Sequence, residues 1–359
     1  MPKSILFTFE LEEGMVCAES VYSITGQLLV PENTVLDNTL INRLRLYNVT
    51  TVSIYDNTIG PQVVLDSESS YFGRIKSSPE FQAFKTEYID TIETFHDSIN
   101  EIVTKNTPID PDELLNTTAN LIDSSATSIH VFDMLHNMRE FDDSTFAHCL
   151  NVALIARVLG QWLKMSSEDI DVLTLSGLLH DIGKLATPEP ILTKPDKLTD
   201  DEYTIMKDHA RCGYQYLKNQ ALDPRIKEAC LFHHERCDGT GYPMGLSADK
   251  IPDFAKIISI CDVYDAMTAN RVYRKALCPF TVIKFLEEES FTKYDPRFSL
   301  VFLENVVSSY INTTVRLNNG MIGEVVLINR HSLSKPMLRC GNDYIDLSKT
   351  PDLKIEAII

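Results

Sequence analysis

At 359 residues the chain is long enough for two or three domains, and a hydrophobic share of 44% supports ordinary packed cores. Its 51 acidic against 33 basic residues give a formal net charge of -18 at pH 7, which argues against binding to nucleic-acid polymers or anionic membranes but leaves room for a small phosphorylated ligand. No apolar run approaches the roughly 20 residues of a spanning helix, and residues 1–11 lack a signal-peptide pattern, so no membrane insertion and a cytoplasmic location are expected.

Residues 1–57 read as a small α/β domain. Residues 4–11 alternate as a strand does, Gly14 and Gly26 punctuate the chain, and Asp37 is placed to cap a short helix carrying Leu40, Ile41 and Leu44 before the β-branched run 49–54. This segment holds no catalytic constellation and reads as a packing or interaction module. Residues 58–110 form a polar linker containing Gly60-Pro61, then an amphipathic helix in which Phe81, Phe84, Tyr88, Ile92 and Phe95 recur at three and four residues. That helix could pack on its own domain, transmit a signal or join two copies in a homodimer.

Residues 111–310 read as one helical domain, with Leu114, Leu121, Ile129, Phe132 and Leu135 as its first apolar stripe. Residues 311–359 form a short β-rich appendage. Its β-prone runs 314–317, 323–328 and 336–339 are separated by the turn signals Asn318-Asn319-Gly320 and Gly341-Asn342. The expected fold class is mainly α. Eight cysteines show no CxxC pair or other zinc spacing and read as reduced thiols.

Five histidines in the helical domain carry the chemistry. His148 is in phase with Val152, Ile155 and Leu159 and therefore faces inward. His180-Asp181 closes a helix that begins at Ser166 or Ser167, and Lys184 shares their face if the helix runs one turn further. Thr199 and Glu202 form a capping box that opens a helix with Tyr203, Met206, His209, Ala210 and Gly213 along one side. Asp223-Pro224 starts another, in which Ile226, Cys230 and His233 follow in phase, and His234 is next to His233. A last helix, 254–268, brings Ile258, Asp262, Asp265 and Ala266 onto one face.

Unpaired imidazoles and carboxylates inside a bundle would each cost on the order of a few kcal/mol, a cost that a divalent metal converts into binding. The donor mix suits a pair of iron or manganese ions better than an all-cysteine zinc site. Two ions sharing a bridging carboxylate would hold a hydroxide between them and neutralise a phosphate oxygen, which suits phosphoester hydrolysis.

Residues 177–184, Gly-Leu-Leu-His-Asp-Ile-Gly-Lys, resemble the doublet motif of the HD phosphohydrolases, and 233–243, His-His-Glu-Arg-Cys-Asp-Gly-Thr-Gly-Tyr-Pro, resembles the signature of the HD-GYP subclass. The likeness extends to 262–267 and 271–274 and covers about residues 110–310. It implies a helical HD-type metallohydrolase bundle that hydrolyses cyclic di-GMP to the linear dinucleotide and, in some members, on to GMP. Carried over, His148, His180, Asp181 and Asp262 would bind one metal, and Asp181, His209, His233 and His234 the other. Lys184 would stabilise the scissile phosphate, Tyr242 would contact the ligand, and Arg271 and Arg274 would hold a phosphate or a guanine edge. Asp265 is placed to orient the ligand or to pair with an arginine.

Members with three metals carry a glutamate one helical turn before the first histidine. Ser144 stands there, so two divalent ions per chain are expected. A cyclic-di-GMP receptor without useful turnover is the main competing reading, and the presence of all seven ligand residues argues against it. A third reading keeps the enzyme and changes the substrate to another cyclic dinucleotide or a nucleotide monophosphate.

Overall fold

The computed structural model describes residues 3–8, 11–22, 28–37, 40–41, 44, 49, 51–55, 71–105, 107–123, 128–138, 145–194, 197–269 and 277–359. The chain divides into two compact units, one holding the N-terminal residues to Val64 and the other the bulk of the chain from Leu65 onward.

In the N-terminal unit, β1 (Lys3–Phe7) pairs antiparallel with β4 (Thr51–Tyr55), and β2 (Val21–Tyr22) pairs antiparallel with β3 (Leu28–Val30). Alternation in β4 sends Val52 and Ile54 into a core shared with Cys17, Val30, Leu36 and Leu44. Asp37 Oδ1 accepts from Leu40 N at 2.7 Å, which starts the helical segment that buries Ile41 and Leu44. Gly26 lies outside the described residues.

The larger unit is mainly helical. After α1 (Tyr71–Lys76), the long α2 (Pro79–Lys105) buries Phe81, Phe84, Tyr88, Thr91, Phe95, Ile99 and Ile102. Thr91 is buried and Ile92 only half-buried, although both positions keep three-and-four spacing with Tyr88 and Phe95. Tyr88 donates to Asn151 Oδ1 at 2.6 Å, and Phe95 meets Phe146 edge-on at 5.9 Å. The apolar stripe of α2 is thus spent within its own unit. Next come α3 (Pro111–Asp123), α4 (Ser128–Met138), and α5 (Thr145–Trp162), which is buried along most of its length. The Ile129 side chain lies outside the described residues.

Ser166 caps α6 (Ser167–Leu179) by accepting from Asp169 N at 3.1 Å. The α-helix stops there, and a 3-10 turn (Ile182–Ala186) replaces the further α-turn that would have carried Lys184. Gly183 explains the tight path: a Cβ on it would lie 1.9 Å from His209 O. After α7 (Glu189–Leu192), the single helix expected from Thr199 is two, α8 (Asp200–Lys207) and α9 (His209–Leu217). The His209 imidazole bonds Met206 O at 2.7 Å, and Asp208 N turns back to Ile205 O in a tighter i to i-3 bond. The side chain competes there for a helix carbonyl, and the axis breaks. Tyr203 on α8 is 46% exposed and is no part of an inward stripe.

Asp223 caps α10 (Pro224–Phe232), and α11 (Asp253–Thr268) follows the 233–247 loop. The chain then forms α12 (Pro279–Glu289) and α13 (Pro296–Ser308). The C-terminal strands β5 (Thr314–Leu317), β6 (Ile322–Leu327), β7 (Met337–Cys340), β8 (Asp343–Asp346) and β9 (Ile355–Ile358) form an antiparallel sheet in the order β8-β7-β6-β5-β9. Glu287 of α12 ties this sheet region to the helices by accepting from Leu333 N at 2.6 Å and Ser334 Oγ at 2.6 Å. Among the described residues, no helix is long and apolar enough to cross a membrane.

Candidate metal centre

Each potential ligand is delivered by a helix or a helix end. His148 comes from the middle of α5 and Asp262 from α11, whereas His180 is the C-cap of α6, His209 the first residue of α9 and His233 the C-cap of α10. All are buried, as is Asp181; His234, one residue past the end of α10, is partly open. Their donor atoms fall into two groups, Asp181, His209, His233 and His234 in one and His148, His180 and Asp262 in the other, each within 4.8 Å internally.

Asp181 lies between the groups. Its Oδ1 is 3.2 Å from His209 Nε2 and 3.7 Å from His233 Nε2, while its Oδ2 is 3.3 Å from His180 Nε2 and 3.6 Å from His148 Nε2. Lys184 Nζ approaches the same Oδ2 at 2.5 Å from the 3-10 turn. The turn therefore brings the ammonium to the carboxylate although the α-helix ends.

The outer ring nitrogens settle the tautomers. His180 Nδ1 bonds Gly177 O at 2.7 Å, His209 Nδ1 bonds Met206 O at 2.7 Å and His233 Nδ1 bonds Cys230 O at 2.9 Å. A carbonyl only accepts, so Nδ1 carries the proton in each, and the Nε2 lone pair points at the centre. His148 differs, because its Nδ1 lies 2.7 Å from Asp265 Oδ2.

Burial keeps two of the imidazoles, His233 and His234, in the neutral form that a ligand needs. Burial holds the His233 pKa down at about 4 against the pull of Asp181, and burial together with His233 holds His234 well below its ordinary value. Burial alone would raise the carboxylates. At Asp181 the Lys184 ammonium, aided by His180, overcomes it, and at Asp262 the His148 hydrogen bond does so, leaving both well below the usual carboxylate range. His148 is raised, burial being outweighed by Asp262 and Asp265.

The centre also fits a cation on hydrogen-bond grounds. His180 Nε2 and both Asp181 oxygens are buried without a partner in hydrogen-bond geometry; the nearby nitrogens approach off the favourable directions. Even with the Lys184 ammonium beside Asp181, buried acceptors left without hydrogen bonds cost about 1–3 kcal/mol each. A divalent ion among these atoms removes that penalty.

The remaining candidates are distributed unevenly. Tyr242 is half-buried with its ring stacked on His234 at 4.6 Å and 29°. Asp265, expected at the ligand, is 1% exposed behind His148, on the side of the ring away from the other donors. Its geometry suits a support for the imidazole. Arg271, Arg274 and Ser144 lie outside the described residues. Gly239 has φ +79, as a turn requires, but Gly241 answers a different need: a Cβ there would lie 2.3 Å from Arg236 N and 2.5 Å from His234 O.

Two residues given no role from the sequence are also built into the site. Glu235 is 2% exposed and accepts from Met244 N and Leu246 N. Arg236 bonds Ser259 Oγ and lies over the Tyr294 ring at 5.2 Å. The signal for Glu235 was its place between a histidine pair and a glycine-rich turn, where a solvated acid would be the ordinary expectation.

Residues 114–298, which include every residue of both donor groups, match the family described as HD domain. The chain belongs to the HD domain family. Over 206 residues it is 35% identical to a cyclic di-GMP phosphodiesterase of Pseudomonas aeruginosa, covering 57% of this chain and 50% of the relative. Over 159 residues it is 36% identical to a cyclic di-GMP phosphodiesterase response regulator of Xanthomonas campestris pv. campestris, covering 44% and 42%. Over 145 residues it is 39% identical to a 3'3'-cGAMP-specific phosphodiesterase of Vibrio cholerae, covering 40% and 34%. The chain spans half or less of the length of each of these relatives.

Proposed function

We propose that the chain is a cytoplasmic, metal-dependent phosphodiesterase whose 111–310 domain hydrolyses cyclic di-GMP to the linear dinucleotide, using two divalent ions, iron or manganese. One observation carries this reading: the two oxygens of a single buried carboxylate, Asp181, face two different histidine groups. His148, His180 and Asp262 with Asp181 would hold one ion, and His209, His233 and His234 with Asp181 the other.

When bound, the ions supply Lewis acidity, polarising a phosphate oxygen and acidifying a water. The chain's own residues do the rest. Asp181 keeps its ionised form and its position through the two histidine groups and Lys184. The Lys184 side chain is 22% exposed, so its ammonium can turn from Asp181 towards charge that develops on the phosphate. Tyr242 offers an aromatic face beside His234 for the ligand, and Arg271 and Arg274 supply guanidinium groups for phosphate or guanine. Asp265 orients His148 through its Nδ1.

The test is turnover and metal content together. Protein purified anaerobically with iron or manganese should carry two equivalents per chain and convert cyclic di-GMP to the linear product on chromatography. Three equivalents would overturn the two-ion reading, and tight binding without turnover in either metal would favour a receptor. A second substrate, 3'3'-cGAMP, is favoured by the relative from Vibrio cholerae that carries that specificity in its name. Comparing kcat/KM for the two dinucleotides decides between them.

A further inference from the structure

Glu235 separates the two functions of the 233–247 stretch, following the histidine pair and preceding the loop that carries Tyr242. It is 2% exposed, and among the described residues it makes no ion pair. Its two oxygens instead accept one backbone N–H each from the far side of the loop, Oε1 from Met244 N at 2.7 Å and Oε2 from Leu246 N at 2.8 Å. Two donors in fixed positions require an acceptor with two oxygens, which an ionised carboxylate provides and an amide does not.

Other ties close the same loop. Tyr242 N donates to His234 O at 3.2 Å, Ala248 N to Cys237 O at 3.2 Å and Arg211 Nη2 to Pro243 O at 3.0 Å. Gly241 lets the chain pass directly over the 234–236 backbone. The net result is the Tyr242 ring lying on His234. Of the ties to residues 242–246 named here, the two at Glu235 are made by one buried side chain that grips the segment at two points.

We propose that Glu235 is a positioning residue that clamps the 242–246 segment through Met244 and Leu246, holding Tyr242 over His234, and so sets substrate affinity without touching substrate or metal. The inference rests on the reading that Tyr242 contacts the substrate. Glu235→Gln preserves shape but turns an NH2 towards one of the two backbone donors, breaking half of the clamp. Loss of one buried hydrogen bond, with its backbone donor left facing an NH2, predicts a KM raised about tenfold, with kcat and metal content close to those of the parent.

The decisive measurement is a double-mutant cycle on the metal-loaded full chain. In a Tyr242→Ala background, Glu235→Gln should raise KM no further, because both changes act through one side chain. An equal rise in both backgrounds overturns the proposal, as does loss of metal from Glu235→Gln alone. Glu235→Asp keeps both oxygens one methylene short and should fall between the parent and Glu235→Gln; it also serves if the glutamine variant does not fold. Amide hydrogen exchange separates this inference from the functional reading. Even if the parent turns over no cyclic dinucleotide, Glu235→Gln should speed exchange at one of the Met244 and Leu246 amides, whichever faces the new NH2, while those of α10 stay protected, and unchanged exchange at both amides refutes the clamp.

Discussion

Behind His148 stands a carboxylate, Asp265, 2.7 Å from Nδ1; behind His209 and His233 stand the main-chain carbonyls of Met206 and Cys230. The contrast follows from where the histidines sit. His148 is in mid-helix, where the local carbonyls are used by the helix, so its outer nitrogen needs a partner from another element, α11. His180, His209 and His233 sit at helix ends, where carbonyls are left over for an imidazole to take. In one half of the centre a single histidine, His148, is therefore oriented by a side chain that brings extra negative charge, while its neighbour His180 takes the Gly177 carbonyl. In the other half His209 and His233 are oriented by the backbone, which no substitution of a supporting side chain can remove.

Asp181 is the point at which this difference should vanish, because both halves use it. Asp181→Ala is expected to abolish turnover and to lower metal content in both halves, read by metal analysis and by chromatography of the product. Retention of one full equivalent of metal would mean that the halves are independent. Next in size is Lys184→Met, which keeps the aliphatic stem but removes the ammonium. Its expected cost is about 100- to 1000-fold in kcat, the range for losing one group that stabilises transition-state charge, with metal content largely kept.

What the sequence reveals about these halves depends on how local the cause is. The inward phase of His148 is legible because Val152, Ile155 and Leu159 repeat it along one helix. Caps at Asp37, Ser166 and Asp223 are equally legible, since each needs only its next few residues. The break between α8 and α9 is not, because it arises from an imidazole drawn to a carbonyl, which no periodicity records. Asp265 shares a helix face with Asp262, and only the position of α5 distinguishes a support for His148 from a ligand contact. Glu235 is hidden for the same reason, its donors being nine and eleven residues away in a loop. The strands β8 and β9 escape because each has only short apolar alternation, and they lie at the edges of the sheet.

Asp265→Asn tests the contrast directly. It leaves the shape intact but removes the charge behind His148, and loss of such a supporting partner costs about 10- to 100-fold in metal affinity or activity. The loss should fall on one of the two metal equivalents, visible as a biphasic titration in which only one phase weakens. If both phases weaken equally, the two halves are not separately supported.

A buried carboxylate away from the centre provides the comparison for that result and the smallest expected effect on turnover. Asp295 accepts from Arg297 N at 3.1 Å at the start of α13 and from Lys256 Nζ at 3.0 Å. Hydrogen bonds from Arg297, aided by Lys256 and opposed by burial, hold it below the usual carboxylate range. Its folded pKa is depressed, so its contribution to stability is present above the unfolded value near 4 and is lost as pH falls through the lower folded value. Asp295→Asn keeps a capping side chain, so the change isolates the lost charge, at a cost of about 1–3 kcal/mol near neutral pH. Thermal melts should show the gap between parent and variant closing only well below pH 4, with metal content and turnover little changed. A similar loss of metal in Asp295→Asn and Asp265→Asn would mean that general destabilisation, and not support of His148, explains the weaker half.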